Sequence, residues 1–432
     1  MRKYSYIIVG NSAAAISAVE AIRSIDDKGT ILILDREDTP AYSTPMISYL
    51  LKGKTDEGHM AIRGPRFYEE NKVDCGFGKE AEAIDPKSHT ITAGGEKYEY
   101  GKLLLACGSR PAEPPVEGLG GSNVFPFLNL TDAHAIEECI SECRKANPDS
   151  PVRAAVIGSG LIGCKACEGL SAIVDELTML ARSPQILRSI LAPEASPIAE
   201  RALAKGGVDV RLSTVATAFE KDGDMVTSLT LNDGSKLECD LVILAAGVRP
   251  NAEMAVQAGA KIERGLVVDE HMQTNLPDVY AAGDIAQTHD ILENRDRVIA
   301  LWPNAVKQGH CAGLAMAGSD KTFDGNFPMN SITLFGQTFL SAGVKNPGEG
   351  MVCRTSLEGD NFSKFITSGD NLVGFMVVNR PLNAGIYTRL IDEKIPLGDV
   401  DPQMFSRAPQ IYDLPEKIRW EKTHEVVTER RN

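Results

Sequence analysis

The same succession of apolar, glycine-rich and helix-like stretches occurs twice in the chain. The first copy comprises an apolar stretch, a glycine turn, a stretch of helical composition and a second apolar stretch: Tyr4–Val9, Gly10–Ala15, Ala13–Ile25 and Thr30–Leu34. The second copy follows about 150 residues later in the same order: Ala154–Ile157, Gly158–Gly163, Cys164–Val174 and Leu177–Leu180. A strand, a glycine turn, a helix and a second strand form a unit that binds nucleotides. The repeat therefore predicts two nucleotide-binding domains.

Further along the chain, alternating patterns predict strands over Met225–Leu231 and Lys236–Leu244, separated by a turn at Asn232-Asp233-Gly234. The stretch Leu382–Asp392 is predicted to be a helix.

The second turn, Gly158-Ser159-Gly160-Leu161-Ile162-Gly163, is an intact G-x-G-x-x-G sequence between a strand and a helix. Its glycines allow the backbone to approach a pyrophosphate at the helix N-terminus. We therefore predict a dinucleotide site with contacts from Gly158, Gly160, Leu161, Ile162 and Gly163.

The end of the second strand in this copy bears on the nicotinamide coenzyme. An NAD site usually has an acid there, which meets the ribose 2′-hydroxyl. Here Leu180 is followed by Ala181 and Arg182, and a guanidinium suits a 2′-phosphate. The pattern favours NADPH with Arg182 as a contact. The alternative is that Arg182 is a solvated surface residue and that NADH binds without the carboxylate.

The first turn, Gly10-Asn11-Ser12-Ala13-Ala14-Ala15, is a degraded form of the same sequence, because Ser12 and Ala15 replace the second and third glycines. Asp35 ends the next strand about 20 residues after this turn, where a carboxylate accepts hydrogen bonds from ribose hydroxyls. The turn alone is a weak indication of a nucleotide site, and Asp35 strengthens it.

Three motifs further along the chain resemble one superfamily. Thr274-Asn275-Leu276-Pro277-Asp278-Val279-Tyr280-Ala281-Ala282-Gly283-Asp284 is similar to the second FAD fingerprint of the pyridine nucleotide-disulfide oxidoreductases, in which the final aspartate binds the ribityl chain. Leu103–Pro111 resembles the strand and turn that close the FAD domain, and Leu241–Asn251 resembles the matching element of the NAD domain. The resemblance implies FAD at the first turn and a nicotinamide coenzyme at the second.

The resemblance covers nearly the whole chain. Leu301–Gly309 is similar to the helix that returns to the flavin, and Leu372–Leu390 to an interface domain. Within the superfamily, the chain looks most like the branch of NADH oxidases, CoA-disulfide reductases, rubredoxin reductases and the flavoprotein part of nitrite reductases. It implies an α/β fold with two three-layer Rossmann-like domains and a C-terminal α+β interface domain. The expected limits are 1–115 with 265–325 for FAD, 116–264 for NAD(P), and 326–432 for the interface domain, through which a homodimer forms.

The resemblance also implies a set of cofactor contacts. Those at the FAD site are Gly10, Ser12, Ala13, Ala14, Asp35, Arg36, Pro45, Ala81, Ala106, Cys107, Gly108, Arg110, Gly283, Asp284, Leu301, Trp302 and Ala305. Gly247 joins the residues of the second turn at the NAD(P) site.

The redox cysteine that this branch carries beside the flavin is absent. Pro45 takes its place within Ala41–Tyr49, and no cysteine precedes Cys75. The histidine of peroxidase-type relatives is also missing from the first turn. Thiolate chemistry at the flavin therefore has no nucleophile.

The remaining cysteines suggest neither a metal nor a cluster. Cys164 and Cys167 form a C-x-x-C within the second unit's helix, either as a redox pair or metal half-site or as small packing residues. The packing interpretation is favoured, because no second cysteine pair or histidine cluster completes a metal site. No C-x₂-C-x₂-C sequence for an iron–sulfur cluster exists, so we expect no metal.

Lys165 departs from the glutamate that relatives commonly carry near the nicotinamide and the flavin. A cation there would favour an anionic reduced flavin, which makes Lys165 a candidate catalytic residue. The alternative is that Lys165 points into solvent or pairs with Glu168.

The formal net charge of -14 argues against nucleic acid or an anionic membrane surface as a partner. No apolar stretch approaches the about 20 residues of a membrane span. An odd number of cysteines, nine, without a signal-peptide pattern indicates a reducing cytoplasm.

Together these features predict an FAD-dependent NAD(P)H oxidoreductase. Without a cysteine, the acceptor receives electrons from the flavin directly. An electron-transfer protein such as rubredoxin or ferredoxin is the favoured acceptor. The alternatives are an oxidase that reduces oxygen at the flavin, reduction of a quinone-like molecule, or a non-catalytic flavoprotein subunit of a larger redox complex. The reverse direction, in which reduced ferredoxin generates NAD(P)H, also stays open.

Overall fold

The computed structural model describes residues 1–380 and 383–420. These residues form two compact units. Unit 1 comprises Met1–Arg182 and Gly207–Asn326, and unit 2 comprises Ser183–Gly206 and the described residues from Phe327 onward. Among the described residues, no helix combines the length and the apolar character that crossing a membrane requires.

The first sheet of unit 1 has seven strands: β1 (Arg2–Val9), β2 (Ile31–Leu34), β3 (Val73–Gly76), β4 (Ala81–Asp85), β5 (Thr90–Ala93), β6 (Glu96–Leu105) and β18 (Val279–Ala281). Their order is β3-β2-β1-β6-β5-β4, and β18 also pairs with β6. The pairs among β3, β2, β1, β6 and β18 are parallel, whereas β6, β5 and β4 are antiparallel. Strand β2 is buried along its whole length, as expected of a parallel strand covered on both faces.

The second sheet of unit 1 is parallel and five-stranded: β8 (Val124–Phe125), β9 (Arg153–Ile157), β10 (Glu176–Ala181), β11 (Val208–Leu212) and β15 (Leu241–Leu244), in the order β11-β10-β9-β15-β8. A three-stranded antiparallel sheet, β12 (Ala216–Asp222), β13 (Met225–Leu231) and β14 (Lys236–Glu238), accompanies it. The sequence predicted one strand over Lys236–Leu244. That prediction is wrong, because β14 and β15 belong to different sheets and the chain leaves the first at Cys239.

Two small sheets complete the strands of unit 1: β7 (Ser109–Pro111) with β16 (Val248–Pro250), and β17 (Leu266–Val267) with β19 (Ala286–Asp290) and β20 (Arg295–Arg297). The helices of unit 1 are α1 (Ala13–Arg23), α2 (Ile47–Leu51), α3 (Glu57–Met60), α4 (Phe67–Glu70), α5 (Leu130–Ala146), α6 (Leu161–Leu170), α8 (Glu253–Gln257) and α9 (Trp302–Met316). A short 3-10 helix, Thr44–Met46, precedes α2.

Unit 2 is built on an antiparallel sheet of β21 (Met329–Leu334), β22 (Gln337–Gly343), β23 (Met351–Glu358), β24 (Asn361–Ser368) and β25 (Asn371–Val378), in the order β21-β22-β25-β24-β23. Its helices are α7 (Ser196–Lys205), α10 (Gly385–Asp392) and the 3-10 helices Leu397–Asp399, Pro402–Phe405 and Ile411–Asp413. Phe365 of β24 packs edge-on against Tyr387 of α10, with ring centroids 5.1 Å apart. The helix expected over Leu382–Asp392 begins at Gly385, and Leu382 lies outside the described residues.

A mixed sheet with a parallel core, a fully parallel sheet and an antiparallel C-terminal sheet confirm the predicted fold class. The predicted limits of the three domains stay a prediction.

Candidate active site

The second glycine turn lies between β9 and α6, where the strand order of its sheet reverses. Gly158 has a φ of 120°, and a Cβ added to it would lie 2.2 Å from the carbonyl oxygen of Ala245. A Cβ on Gly163 would lie 2.0 Å from the carbonyl oxygen of Gly158. Gly160, the N-cap of α6, faces open space, with no atom within 4 Å of an added Cβ. The backbone N–H groups that follow it therefore line an open cradle at a helix N-terminus, which suits an anionic group.

The first glycine turn has the same construction between β1 and α1. Gly10 has a φ of 102°, and an added Cβ would lie 2.3 Å from the carbonyl oxygen of Ala106. Ser12 is the N-cap of α1, but its side chain makes no capping hydrogen bond. Ala13 and Ala14 then begin a helix whose first backbone N–H groups have no hydrogen-bond acceptor within the helix.

The segments that close the two sheets meet each other. Ala106–Gly108 follows β6 and leads into β7, and Gly247 leads into β16, which pairs antiparallel with β7. Asn251 donates from Nδ2 to the carbonyl oxygen of Cys107 over 2.8 Å, and the Cys107 thiol donates to the Asn251 carbonyl oxygen over 3.4 Å. Burial raises the pKa of Cys107 to about 12, so this thiol is protonated at neutral pH. Cys107 therefore acts here as a small donor within the turn.

Two carboxylates that the sequence singled out are both largely withdrawn from water. Asp35 directly follows β2 and accepts from the backbone N–H of Glu37 over 2.9 Å. Asp284 follows β18 and accepts from the Ser109 hydroxyl over 3.0 Å. Burial is the main cause of a raised pKa at both groups. Each carboxylate has few donors for its acceptor sites, which is what a hydroxyl-bearing ligand would supply.

Helix α9 brings its N-terminus to the first turn because it packs on α1 through glycine. An added Cβ at Gly309 would lie 2.1 Å from the carbonyl oxygen of Ala14. Gly283 donates its N–H to the Gln308 side chain over 2.7 Å, and a Cβ on Gly283 would lie 3.6 Å from Ala14 Cβ and 3.7 Å from Ala305 Cβ. Leu301, the N-cap of α9, and Trp302, its first residue, are therefore carried to the same region as Gly283.

Lys165 of α6 lies at the contact between α6 and α2. Its ammonium pairs with Glu168, which is nearly buried, and lies 4.4 Å from the ring centroid of Tyr49 on α2. Lys52 approaches the other oxygen of Glu168 at 3.7 Å. The interpretation in which Lys165 pairs with Glu168 is therefore realised in the structure, and the pair links the two helices.

Pro45 lies in the 3-10 helix just before α2, and it is exposed. The two cysteines of α6, the helix against which α2 packs, are fully buried. Burial raises the pKa of Cys164 to about 12 and that of Cys167 well above its usual range. Among the described residues, which include all nine cysteines, none is in a disulfide and no cluster of His, Cys, Asp and Glu could hold a metal.

The other predicted contacts are paired within the protein, exposed, or located on β4. Arg110 is paired with Glu253 and donates to the carbonyl oxygen of Pro250 over 3.2 Å. Arg36 and Arg182 are exposed. Ala81 begins β4, two residues after Lys79, whose N–H donates to the Asp35 carbonyl oxygen over 2.8 Å.

Sequence reasoning did not single out several polar residues near these sites. Asn11 donates from Nδ2 to the Thr39 carbonyl oxygen over 3.2 Å and accepts from the Tyr68 hydroxyl over 2.9 Å. The hydroxyls of Thr39 and Ser48 are buried without a hydrogen-bond partner among the described residues. The sequence contains one signal for these residues, a polar side chain within a turn of small residues. That signal identifies Asn11 and none of the others.

Two sheets with parallel cores, each with a glycine turn at its topological switch point, are typical of the class of proteins that bind two dinucleotides. The profile of the family described as pyridine nucleotide-disulphide oxidoreductase matches residues 4–309. The chain belongs to this family, which comprises NAD(P)H-dependent flavin oxidoreductases, and its cofactors are FAD and NAD(P)H.

Relatives in sequence include two proteins of nearly the same length. The NADH-dependent phenylglyoxylate dehydrogenase subunit epsilon of Aromatoleum evansii is 30% identical over 392 residues, 89% of this chain and 91% of that protein. Putidaredoxin reductase CamA of Pseudomonas putida is 30% identical over 398 residues, 90% of this chain and 92% of that protein.

Solved structures share the fold. The covalent putidaredoxin reductase–putidaredoxin complex superimposes with a TM-score of 0.82 at 27% identity, covering 94% of this chain and 97% of that chain. An engineered water-forming NADPH oxidase bound to NADPH, a mutant of the Lactobacillus brevis NADH oxidase, has a TM-score of 0.82 at 21% identity and full coverage of both chains. At 21% identity, the similarity to the oxidase concerns the fold alone.

The residues present suit both cofactors. At the first turn, the uncapped start of α1 suits a pyrophosphate, and the poorly solvated carboxylates Asp35 and Asp284 suit ribose and ribityl hydroxyls. At the second turn, the open cradle at Gly160 suits the pyrophosphate of NAD(P)H.

Proposed function

We propose that this protein passes electrons from NAD(P)H through FAD to an iron–sulfur electron carrier of the rubredoxin or ferredoxin type, with no thiol on the route. The observation that carries the proposal is Pro45 at the entry to α2. A chain without a thiol at this position must deliver electrons from the flavin itself. Bound FAD supplies the conversion between a hydride donor and a one-electron acceptor.

The cysteines of the chain support this proposal by their ionisation. Cys164 and Cys167 are the pair nearest in sequence to the second turn, and neither is exposed. A thiol attacks as its thiolate, and burial holds the pKa of Cys164 at about 12. Alkylation of the native protein with iodoacetamide is therefore expected to leave NAD(P)H-driven reduction of the carrier unchanged.

In this proposal, the main contribution of the chain to the reaction is to hold the two cofactors in position. The glycine turns would hold the two pyrophosphates at the starts of α1 and α6, and Asp35 and Asp284 would accept hydrogen bonds from cofactor hydroxyls. The contact between α2 and α6 would hold the two reacting rings in line. Holding reactants in position is itself a large part of the rate in such reactions.

Lys165 acts in this proposal as a positioning residue. Its ammonium lies between Glu168 and the Tyr49 ring, so it joins α6, which starts at the nicotinamide turn, to α2, which follows Pro45. Lys165→Glu would place two carboxylates together and push the helices apart. We expect the anaerobic rate of flavin reduction to fall at least about tenfold, since small misplacements cost rate steeply.

The matched variant is Lys165→Arg, which keeps the cation and should restore most of the rate of flavin reduction. Reoxidation of the reduced protein by the carrier serves as the second readout. A purely structural role would lower the melting temperature of Lys165→Glu and leave the stopped-flow rate of flavin reduction as in the wild type. That outcome would remove Lys165 from the mechanism.

The preferred coenzyme in this proposal is NADPH. The end of β10 reads Ala181-Arg182-Ser183, without a carboxylate for a ribose 2′-hydroxyl. The engineered oxidase that binds NADPH carries three consecutive substitutions, of aspartate by alanine, alanine by arginine and methionine by serine. The phenylglyoxylate dehydrogenase subunit is named as NADH-dependent, which favours the opposite choice. Equal or higher kcat/KM with NADH would end the NADPH proposal.

The acceptor is tested directly. The FAD-loaded protein is reduced anaerobically with NADPH or NADH and then mixed with rubredoxin, ferredoxin, a quinone or oxygen. Putidaredoxin reductase, which has been solved in covalent complex with putidaredoxin, supports reoxidation by the iron–sulfur proteins as the fastest case. Fastest reoxidation by oxygen with release of peroxide would instead identify an oxidase, and absence of flavin bleaching would favour a non-catalytic flavoprotein.

A second candidate function is that of the flavin subunit of a larger redox complex. The observation that favours it is the similarity to a protein named as a dehydrogenase subunit over 89% of this chain. Purification from the native source distinguishes the two, because a subunit would elute with stoichiometric partners. The homodimer that the family resemblance implies stays a prediction, and the mass of the pure protein by light scattering tests it.

A further inference from the structure

Unit 2 contains a group of cations that the proposed electron route does not use. Lys364 lies in the middle of β24, and its side chain is only 6% exposed. Its cross-strand neighbour Met376 accepts a hydrogen bond at sulfur from the backbone N–H of Ala192 over 3.3 Å. The segment before α7 therefore lies over the sheet face that Met376 and Lys364 share.

Two more cations join Lys364 at this place. Lys345 follows β22, and its ammonium donates to the backbone carbonyl oxygen of Arg188. Burial, the Arg188 charge and the Lys364 charge all lower the pKa of Lys345, in that order. Lys345 is therefore close enough to both Arg188 and Lys364 for their charges to disfavour its own charged form.

Only one carboxylate balances these charges among the described residues. Glu194 lies 3.6 Å from Lys364 Nζ, longer than a hydrogen bond, and it is about half exposed. Neither Arg188 nor Lys345 has a carboxylate within salt-bridge distance in the described part of the chain, and Asp360, four residues before Lys364, is paired with Arg201. Helix α7 begins two residues after Glu194, so the partial positive charge of its N-terminus adds to the same field.

We propose that Arg188, Lys345 and Lys364 form a binding site for a phosphate group. Three cations against one carboxylate leave about two positive charges, which a phosphate of charge about -2 near pH 7 would balance. A phosphate also offers several acceptor oxygens to an ammonium and a guanidinium at once. Inorganic phosphate and a phosphoester have this chemistry in common, and the experiment separates them.

The test uses the FAD-loaded full chain with saturating NADP⁺, so that both glycine turns are filled. Isothermal titration at constant ionic strength measures binding of inorganic phosphate and, separately, of AMP. We expect one further site per chain and a rise in melting temperature on binding. Lys345→Met and Arg188→Met should each weaken binding about tenfold, as the loss of one charge-assisted hydrogen bond does.

Matched variants keep the result interpretable. Lys205→Met removes an exposed lysine of α7 outside the group and should change the dissociation constant less than about twofold. Lys364→Arg keeps the buried cation and should retain binding, which avoids the risk that Lys364→Met does not fold. Binding of AMP alone would assign the site to a phosphoester, and binding of both would assign it to a free phosphate group. Failure of both ligands to bind, or unchanged binding in Lys345→Met and Arg188→Met, would overturn the proposal.

Discussion

The two glycine turns of unit 1 are alike at their first residue and differ at every later one. Gly10 and Gly158 both have positive φ, 102° and 120°, and both press against a backbone carbonyl, of Ala106 and Ala245 respectively. Each also donates its N–H to the neighbouring strand, over 2.8 Å to Leu34 and 3.0 Å to Leu180. The first glycine is therefore required by the fold, whichever ligand the turn binds.

The later positions of the two turns differ because different constraints act on each of them. Gly163 leaves no space for a Cβ, whereas α1 accommodates the methyl group of Ala15 at the matching position with no exposure. Gly160 faces open space, and Ser12 occupies the matching place at the first turn. The strand that follows is succeeded directly by Asp35 in the first copy, whereas in the second copy it ends at Ala181 without a carboxylate. A degraded glycine pattern thus reflects local packing and ligand chemistry, and it is compatible with an intact turn.

The largest expected effect is loss of stability on replacing the shared glycines. Gly10→Ala and Gly158→Ala would each combine a disfavoured φ with a carbonyl oxygen closer than any Cβ contact permits. We expect each to lower the free energy of unfolding by about 3 kcal/mol, measured by urea denaturation.

Gly223→Ala is the matched control for this pair. Gly223 has a φ of 61° and open space around an added Cβ, so only the backbone conformation is disfavoured. A loss of about 1 kcal/mol is expected there. Equal losses in all three variants would show that the carbonyl contact contributes nothing.

The next effect concerns the FAD side alone. Asp284→Asn should weaken FAD binding at least about tenfold, because a charge-assisted hydrogen bond is lost, as fluorescence titration of the apoprotein would measure. Burial raises the pKa of Asp284, so the folded apoprotein becomes less stable, relative to the unfolded chain, as the pH rises through that pKa. Asp284→Asn removes this loss, and the apoprotein variant should be more stable than wild type at neutral pH but not in acid.

The control for the pH dependence is Asp233, an exposed aspartate. Hydrogen bonds from Ser235 lower its pKa, so its contribution to stability is present at neutral pH and is lost as the pH falls through that lowered pKa. Asp233→Asn should therefore lower stability at neutral pH, opposite in sign to Asp284→Asn. The same sign in both variants would contradict the assignment of burial as the cause at Asp284.

A smaller effect is expected at the strand end of the nicotinamide side. Arg182→Ala should raise the KM for NADPH about tenfold and leave the KM for NADH nearly unchanged, since only NADPH has a 2′-phosphate for the guanidinium. Arg211→Ala removes a guanidinium from neighbouring β11 that is already paired with Asp209, and it should change neither constant. If the KM values for NADPH and NADH rise equally, Arg182 acts only as a general surface charge.

The smallest effect on stability is expected at Gly160, although it lies two residues from Gly158. Its φ of -78° suits any residue, and an added Cβ meets nothing, so Gly160→Ala should change the free energy of unfolding by less than about 0.5 kcal/mol. The methyl group would still narrow the coenzyme cradle, and the KM for the coenzyme should rise several-fold. A stability loss as large as that of Gly158→Ala would show that the cradle is not open.

Sequence reasoning predicted local units well where the hydrophobic pattern lay within a single strand and its adjoining turn. The strand Met225–Leu231 has the predicted limits, and β9, α6 and β10 follow in the predicted order. Helix α6 nevertheless begins at Leu161 rather than Cys164, because Gly160 already serves as the N-cap. The run Lys236–Leu244 gave no sign of its break, which depends on Asp240 accepting from the backbone N–H of Arg153 over 2.7 Å. That partner lies in another part of the chain.

Sequence reasoning predicts two nucleotide turns, their order along the chain and the absence of a thiol at position 45, since each depends on residues a few positions apart. It could not predict that Lys165 lies over the ring of Tyr49, that Arg110 is paired with Glu253, or that Lys364 is buried near Lys345. These partners come from distant segments. Which charges meet is set by how strands and helices pack, and packing energies sum over many contacts that no short stretch of sequence contains.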